Sequence, residues 1–79
     1  MISQVRYTSS GVELHVTNSL NSTLNLRVLN ELGQEIISDQ MERDQMIYPI
    51  NTHVLGSGMY FIHIQDQEGH REVQRFVVH

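Results

Sequence analysis

The sequence predicts a small all-β fold, a seven-stranded antiparallel β-sandwich, and three observations carry that expectation. Apolar residues recur with period two along several segments, as they do when successive side chains of a half-buried strand point to opposite faces. Turn-forming clusters separate these segments at intervals of roughly 8 to 12 residues. No stretch sustains the period of an amphipathic helix. The 79 residues leave room for one domain around one core. Residues 1–79 are read as that single module, with 1–10 either a weak first strand or the remnant of a linker.

The weak first strand runs from about Ser3 to Thr8. In the second, Val12, Leu14 and Val16 alternate with Glu13, His15 and Thr17. Asn18 to Ser22 is polar and turn-forming, and Leu24, Leu26 and Val28 then alternate with Asn25, Arg27 and Leu29. The turn Asn30-Glu31-Leu32-Gly33 ends on a glycine that can take the positive φ of a hairpin. A return strand follows from Gln34 to Ser38, and the charged stretch Asp39 to Asp44 is expected to be a solvated connector. The fifth strand holds Met46, Ile47, Tyr48 and Ile50 and is expected to end near Pro49, which cannot donate to a ladder and so marks an edge. Asn51 to Ser57 reads as a turn or a short helical turn. Met59 to Gln65 is the strongest strand signal, with Tyr60, Ile62 and Ile64 on one face and Phe61, His63 and Gln65 on the other. Asp66-Gln67-Glu68-Gly69 turns the chain back into a closing strand, Arg71 to Val78. There the consecutive Phe76, Val77 and Val78 imply partial burial on both faces. Seven strands so spaced fit an immunoglobulin-like sandwich.

A content of 39% hydrophobic and 18% charged residues is globular rather than disordered. With no cysteine, neither disulfides nor thiolate metal sites support the fold. The formal charge of -4 argues against a nucleic-acid partner. No apolar run approaches the length of a membrane span, so membrane insertion is not expected. Met1 to Ser10 has no basic region followed by a long apolar run, and an exported chain of this kind is expected to be part of a longer precursor.

No cofactor or enzymatic activity is expected. The five histidines invite a metal reading. However, His15 and His63 fall on polar strand phases, His53, His70 and His79 lie in turns or at the end, and no pair has the spacing of a closed site. Gly56-Ser57-Gly58 lacks the spacing of a nucleophile elbow and the third glycine of a dinucleotide fingerprint. Glu31, Glu35, Asp39, Glu42 and Asp44 cluster where charge serves solubility. Asn21-Ser22-Thr23 matches a glycosylation sequon, which polar turns produce by chance.

Two segments together resemble a known family. One is Leu24 to Ile36, a strand, a polar turn with Gly33, and a return strand. The other is Ile50 to Ile62, with Leu55, a small residue, and Gly58-Met59-Tyr60, followed by the closing strand with Arg75-Phe76-Val77-Val78. In order and spacing they resemble the C-terminal sorting domain of the type IX secretion system, the type A Por secretion tail, over about Gly11 to His79. The family's usual opening Asn-Pro pair is absent where Tyr7-Thr8-Ser9-Ser10 stands, and His79 replaces a common terminal lysine or arginine.

The resemblance implies a sorting signal at the carboxyl end of a secreted protein. The precursor would cross the inner membrane by an ordinary leader, and the module would be read in the periplasm by the outer-membrane translocon. A surface sortase would cut at or upstream of Met1 to Arg6, and the cargo would be released or attached to lipopolysaccharide at the cell surface. Monomer or weak dimer is the expected state. Recognition is expected at the final hairpin, whose strand edge can accept a partner strand. Gly58 would give a close backbone entry, Tyr60 with Phe76 a buried anchor, and Arg71 with Arg75 a positive edge beside Val77. Gly33 and Leu55 complete the set. Each also has a plainer role, as a turn glycine or a core side chain. A competing function is that of a carbohydrate-binding or adhesive β-sandwich module, which a platform of Tyr7, Tyr48 and Phe61 on one exposed face would favour.

Overall fold

The computed structural model describes residues 2–17 and 22–79. The Asn18 to Ser22 turn, apart from Ser22, and the sequon residue Asn21 lie outside the described residues. Seven strands form: β1 (Ile2–Thr8), β2 (Gly11–Thr17), β3 (Leu24–Leu29), β4 (Glu35–Met41), β5 (Ile47–Asn51), β6 (Gly58–Gln65) and β7 (Arg71–Val78). A single 3-10 turn, Thr52–Val54, precedes β6 among the described residues.

The strands make two antiparallel sheets. One has the order β1-β2-β5 and the other β4-β3-β6-β7. Period-two alternation decides which side chains meet between them. Val12, Leu14, Val16 and Ile50 come from the smaller sheet, and Leu24, Leu26, Val28, Met41, Tyr60, Ile62, Ile64 and Phe76 from the larger. All are buried. The expected sandwich is therefore the observed one.

Two boundaries differ from the sequence expectation. The fourth strand continues past Ser38 to Met41, which pairs with Leu24 and is fully buried. Ile37, Asp39 and Met41 share the inward phase, so Asp39 is a charge within a strand and not the start of a solvated connector. Likewise β5 continues through Pro49 to Asn51. Proline is tolerated because β5 pairs only with β2 and is an edge, as expected. Val16 N–H donates to Met46 O at 2.8 Å, so the inward-phase residues of β2 exchange bonds with β5. Pro49, opposite Glu13, is out of that phase, and its missing N–H falls on the free side.

The two glycine turns share one design. In the first, the Asn30 side-chain oxygen accepts from Leu32 N–H and Gln34 N–H, both at 2.9 Å. In the second, Asp66 Oδ1 accepts from Glu68 N–H and His70 N–H, both at 2.9 Å. An Asx residue thus fixes each loop, and Gly33 (φ 80) and Gly69 (φ 90) supply the left-handed backbone that closes it.

Candidate recognition surface

β7 has one ladder neighbour, β6, and is an edge of the larger sheet. Its backbone orientation follows from one hydrogen bond. Val77 N–H donates to the Tyr7 hydroxyl at 3.1 Å, away from β6. The register between β6 and β7 runs without a shift, so the backbone groups of Arg71, Val73 and Arg75 face the same free side. The edge lies against β1 of the smaller sheet. Gln74 Nε2 donates to Ser3 O at 3.2 Å and to its hydroxyl at 2.9 Å, and the Ser3 hydroxyl donates to Glu72.

The opposite opening of the sandwich is bridged in the same manner. Tyr48 on β5 donates its hydroxyl to Asp39 on β4 at 2.8 Å. Each edge strand of the larger sheet therefore carries an inward-phase carboxylate, Glu72 or Asp39, that meets a hydroxyl from the smaller sheet.

These contacts shift ionisation. The Tyr48 hydrogen bond and the Gln40 N–H hold the Asp39 carboxyl below its usual value against slight desolvation. Burial first, then the hydrogen bond and charge of Asp39, push Tyr48 up to about 12. For Asp66, burial pushes the carboxyl up, but hydrogen bonds from His70 and Glu68 and the His70 charge outweigh it and leave it lowered. Folded carboxyl values below the unfolded value of 3.8 mean that Asp39 and Asp66 stabilise the fold fully above that pH. This contribution disappears as pH falls through the folded values. The Tyr48 contribution is complete below its ordinary 10.0 and disappears as pH rises through about 12. The urea midpoint is expected to fall in acid, and the double variant Asp39→Asn with Asp66→Asn to flatten that fall. Parallel acid limbs for parent and variant would show that neither carboxylate matters.

The residues singled out from sequence occupy two regions. Gly58, Tyr60, Phe76 and Val77 gather where β6 begins and β7 ends, with Tyr60 opposite Phe76 and Gly58 opposite Val78. The rings of Tyr60 and Phe76 stack with centroids 5.4 Å apart, and the Tyr60 hydroxyl donates to Gly56 O at 2.6 Å. Leu55 is half-buried and packs against the core. Gly33 lies in the turn whose Glu31 accepts from Met59 N–H at 2.9 Å, in the place where β3 has ended. Arg71 and Arg75 stand apart from this group. They lie on the outer face of the larger sheet, opposite Gln65 and Phe61, rather than only along the edge.

Sequence reasoning missed the bridging residues Tyr7, Tyr48, Asp39 and Glu31. Tyr7 and Tyr48 are in the inward phases of their edge strands, a pattern visible in sequence, but their partners are on the other sheet. The platform expected for sugar binding does not form, because Tyr7 and Tyr48 belong to one sheet and Phe61 to the outer face of the other. Among the described residues, no group of three or more His, Cys, Asp or Glu side chains could hold a metal ion.

Comparison with known families decides what this sandwich is. A profile of the secretion system C-terminal sorting domain matches residues 8–79. The chain belongs to that family. No curated protein matches the chain. The sorting domain is a type IX secretion signal and not a class of enzyme, and it implies a secreted or cell-surface precursor that engages the type IX machinery. The match starts at Thr8, the last residue of β1, so most of β1 precedes the matched segment of the sorting domain.

Proposed function

We propose that this sorting domain is one module, read in the periplasm through the free edge of β7, and that a surface sortase then removes it from its cargo. The single observation that supports the edge reading is the Val77–Tyr7 bond, which shows that the outward N–H groups of β7 point away from β6 and that Val77 is held there by a side-chain hydroxyl rather than by a strand. Tyr7 and Ser3 act as a polar latch on that edge, which an incoming strand displaces. The Gly33 turn, Leu55, Gly58 and the Tyr60–Phe76 stack hold β6 and β7 in place, and Arg71 with Arg75 border the edge. In this reading the domain works as a monomer, the sortase cut falls upstream of Ile2 because β1 pairs with β2 along its length, and the cargo is released or attached to lipopolysaccharide.

Fusion of the chain behind a leader and a reporter tests the reading. In a host with the type IX machinery the reporter is expected at the cell surface, and periplasmic retention would count against it. Deleting Arg71 to His79 is a poor second step, since it also removes Phe76 from the core. Val73→Pro is better. Its N–H faces away from β6, so the substitution blocks strand addition while leaving the ladder intact. Surface delivery is expected to drop to background with the unfolding midpoint nearly unchanged. Normal delivery of a folded Val73→Pro fusion would exclude the edge.

A further inference from the structure

The outer face of the larger sheet is unlike the rest of the chain. Arg27, Arg71 and Arg75, out of five basic residues in a chain of net charge -4, all project from it. Cross-strand register places Arg27 beside His63, His63 beside Val73, and Gln65 beside Arg71. Between them lies a cleft of about 130 Å³ lined by Arg27, His63, Gln65, Arg71 and Val73, and also by Glu72, whose carboxylate is engaged by the Ser3 hydroxyl on the inward side. Among the described residues, Arg71 and Arg75 make no ion pair, and Arg27 has only a loose one, with Glu35 at 3.8 Å. One end of the face, where β6 begins and β7 ends, is apolar. Leu29, Phe61, Met59 and Val77 are half-buried there, and Val73, 53% exposed, lies beside His63 between the two arginines of β7.

We infer that this face docks an extended acidic polypeptide segment, with carboxylates at positions i and i+4 and an apolar residue between them at i+2. Arg71 and Arg75 are four residues apart on one strand, about 13 Å, which is the span of such a pair on an extended chain. Val73 lies between them and faces the same way. Guanidinium groups match carboxylates bidentately, and the apolar patch suits a side chain that a nucleic acid or a bare phosphate lacks. The inference rests on the sorting reading only in assigning the segment to the secretion machinery.

Titration of the isotopically labelled 79-residue chain with the synthetic peptide acetyl-Gly-Glu-Ser-Val-Ser-Glu-Gly-amide tests the docking directly. Amide shifts are expected at Arg27, His63 and Arg71 to Arg75, and they should weaken at higher salt. The counterpart peptide with glutamine for glutamate, and the triple variant R27E/R71E/R75E with an unchanged unfolding midpoint, should each bind at least about tenfold more weakly. Shifts elsewhere, or equal binding by the glutamine peptide, overturn the inference. Equal response to inorganic phosphate assigns the face to small anions and overturns the peptide class. In the reporter fusion, failure of the parent tail defeats the sorting reading and leaves the titration to decide the surface. Delivery by the parent tail and equally by the folded triple variant removes the secretion machinery as the partner.

Discussion

Alanine at Tyr60 is expected to cost about 3 to 5 kcal/mol, a large part of the roughly 4 to 12 kcal/mol that a domain of this size possesses. Tyr60 is 7% exposed, and its ring lies on that of Phe76, which is fully buried. Truncation removes the ring from both neighbours and leaves a cavity between the sheets. Tyr60→Phe separates the contributions, because it keeps the stacked rings and loses only the hydroxyl bond to Gly56 O. That loss should be about 1 kcal/mol. A double-mutant cycle between Tyr60 and Phe76 should give a coupling of about 0.5 to 1.5 kcal/mol from the stack. Urea unfolding with a constant slope is the measurement. If Tyr60→Ala and Tyr60→Phe lose equal stability, the ring is no anchor and the hydroxyl bond carries the effect.

The same pair shows what could be read from sequence. Tyr60 and Phe76 fall in the inward phases of strands that a short turn joins, so their burial follows from alternation alone. The Asn30–Gly33 and Asp66–Gly69 turns were equally legible, because an Asx residue three positions before a glycine specifies the loop chemically. Legibility fails where a residue breaks its phase to serve another sheet. Asp39 looks like the end of a strand because a carboxylate in an apolar phase normally means solvent. It is instead a strand residue whose carboxylate reaches Tyr48 across the opening. The Tyr7 bond to Val77 joins residues at opposite ends of the chain, and no local pattern encodes it. Arg27 was visible only as the polar phase of its strand. Its company with Arg71 and Arg75 depends on the order β3-β6-β7, which periodicity does not specify.

Replacement of Gly11 by alanine should destabilise by about 2 to 5 kcal/mol. Its φ of 147 is a conformation that L side chains rarely adopt, and a Cβ there would stand 2.4 Å from Ile50 O and 3.2 Å from Thr52 N. Both neighbours are backbone, so neither can rotate away. Gly33 provides the contrast. Its φ is 80, but a Cβ would meet nothing within 4 Å, so alanine there costs only the left-handed penalty of about 1 kcal/mol. Gly58, at φ 149 with the nearest atom 3.6 Å away, should fall between them. Gly11 pairs with Thr8 on one side and Asn51 on the other, so displacement there disturbs β1 and β5 together. Those strands carry Tyr7 and Tyr48, whose hydroxyls bridge the open sides of the sandwich. Gly11→Ala is therefore expected to lose protection of the Val77 amide from hydrogen exchange as well as global stability, whereas Gly33→Ala should leave that amide protected. Equal losses at Gly11 and Gly33 would mean that the close approach of β2 to the end of β5 does not limit the fold.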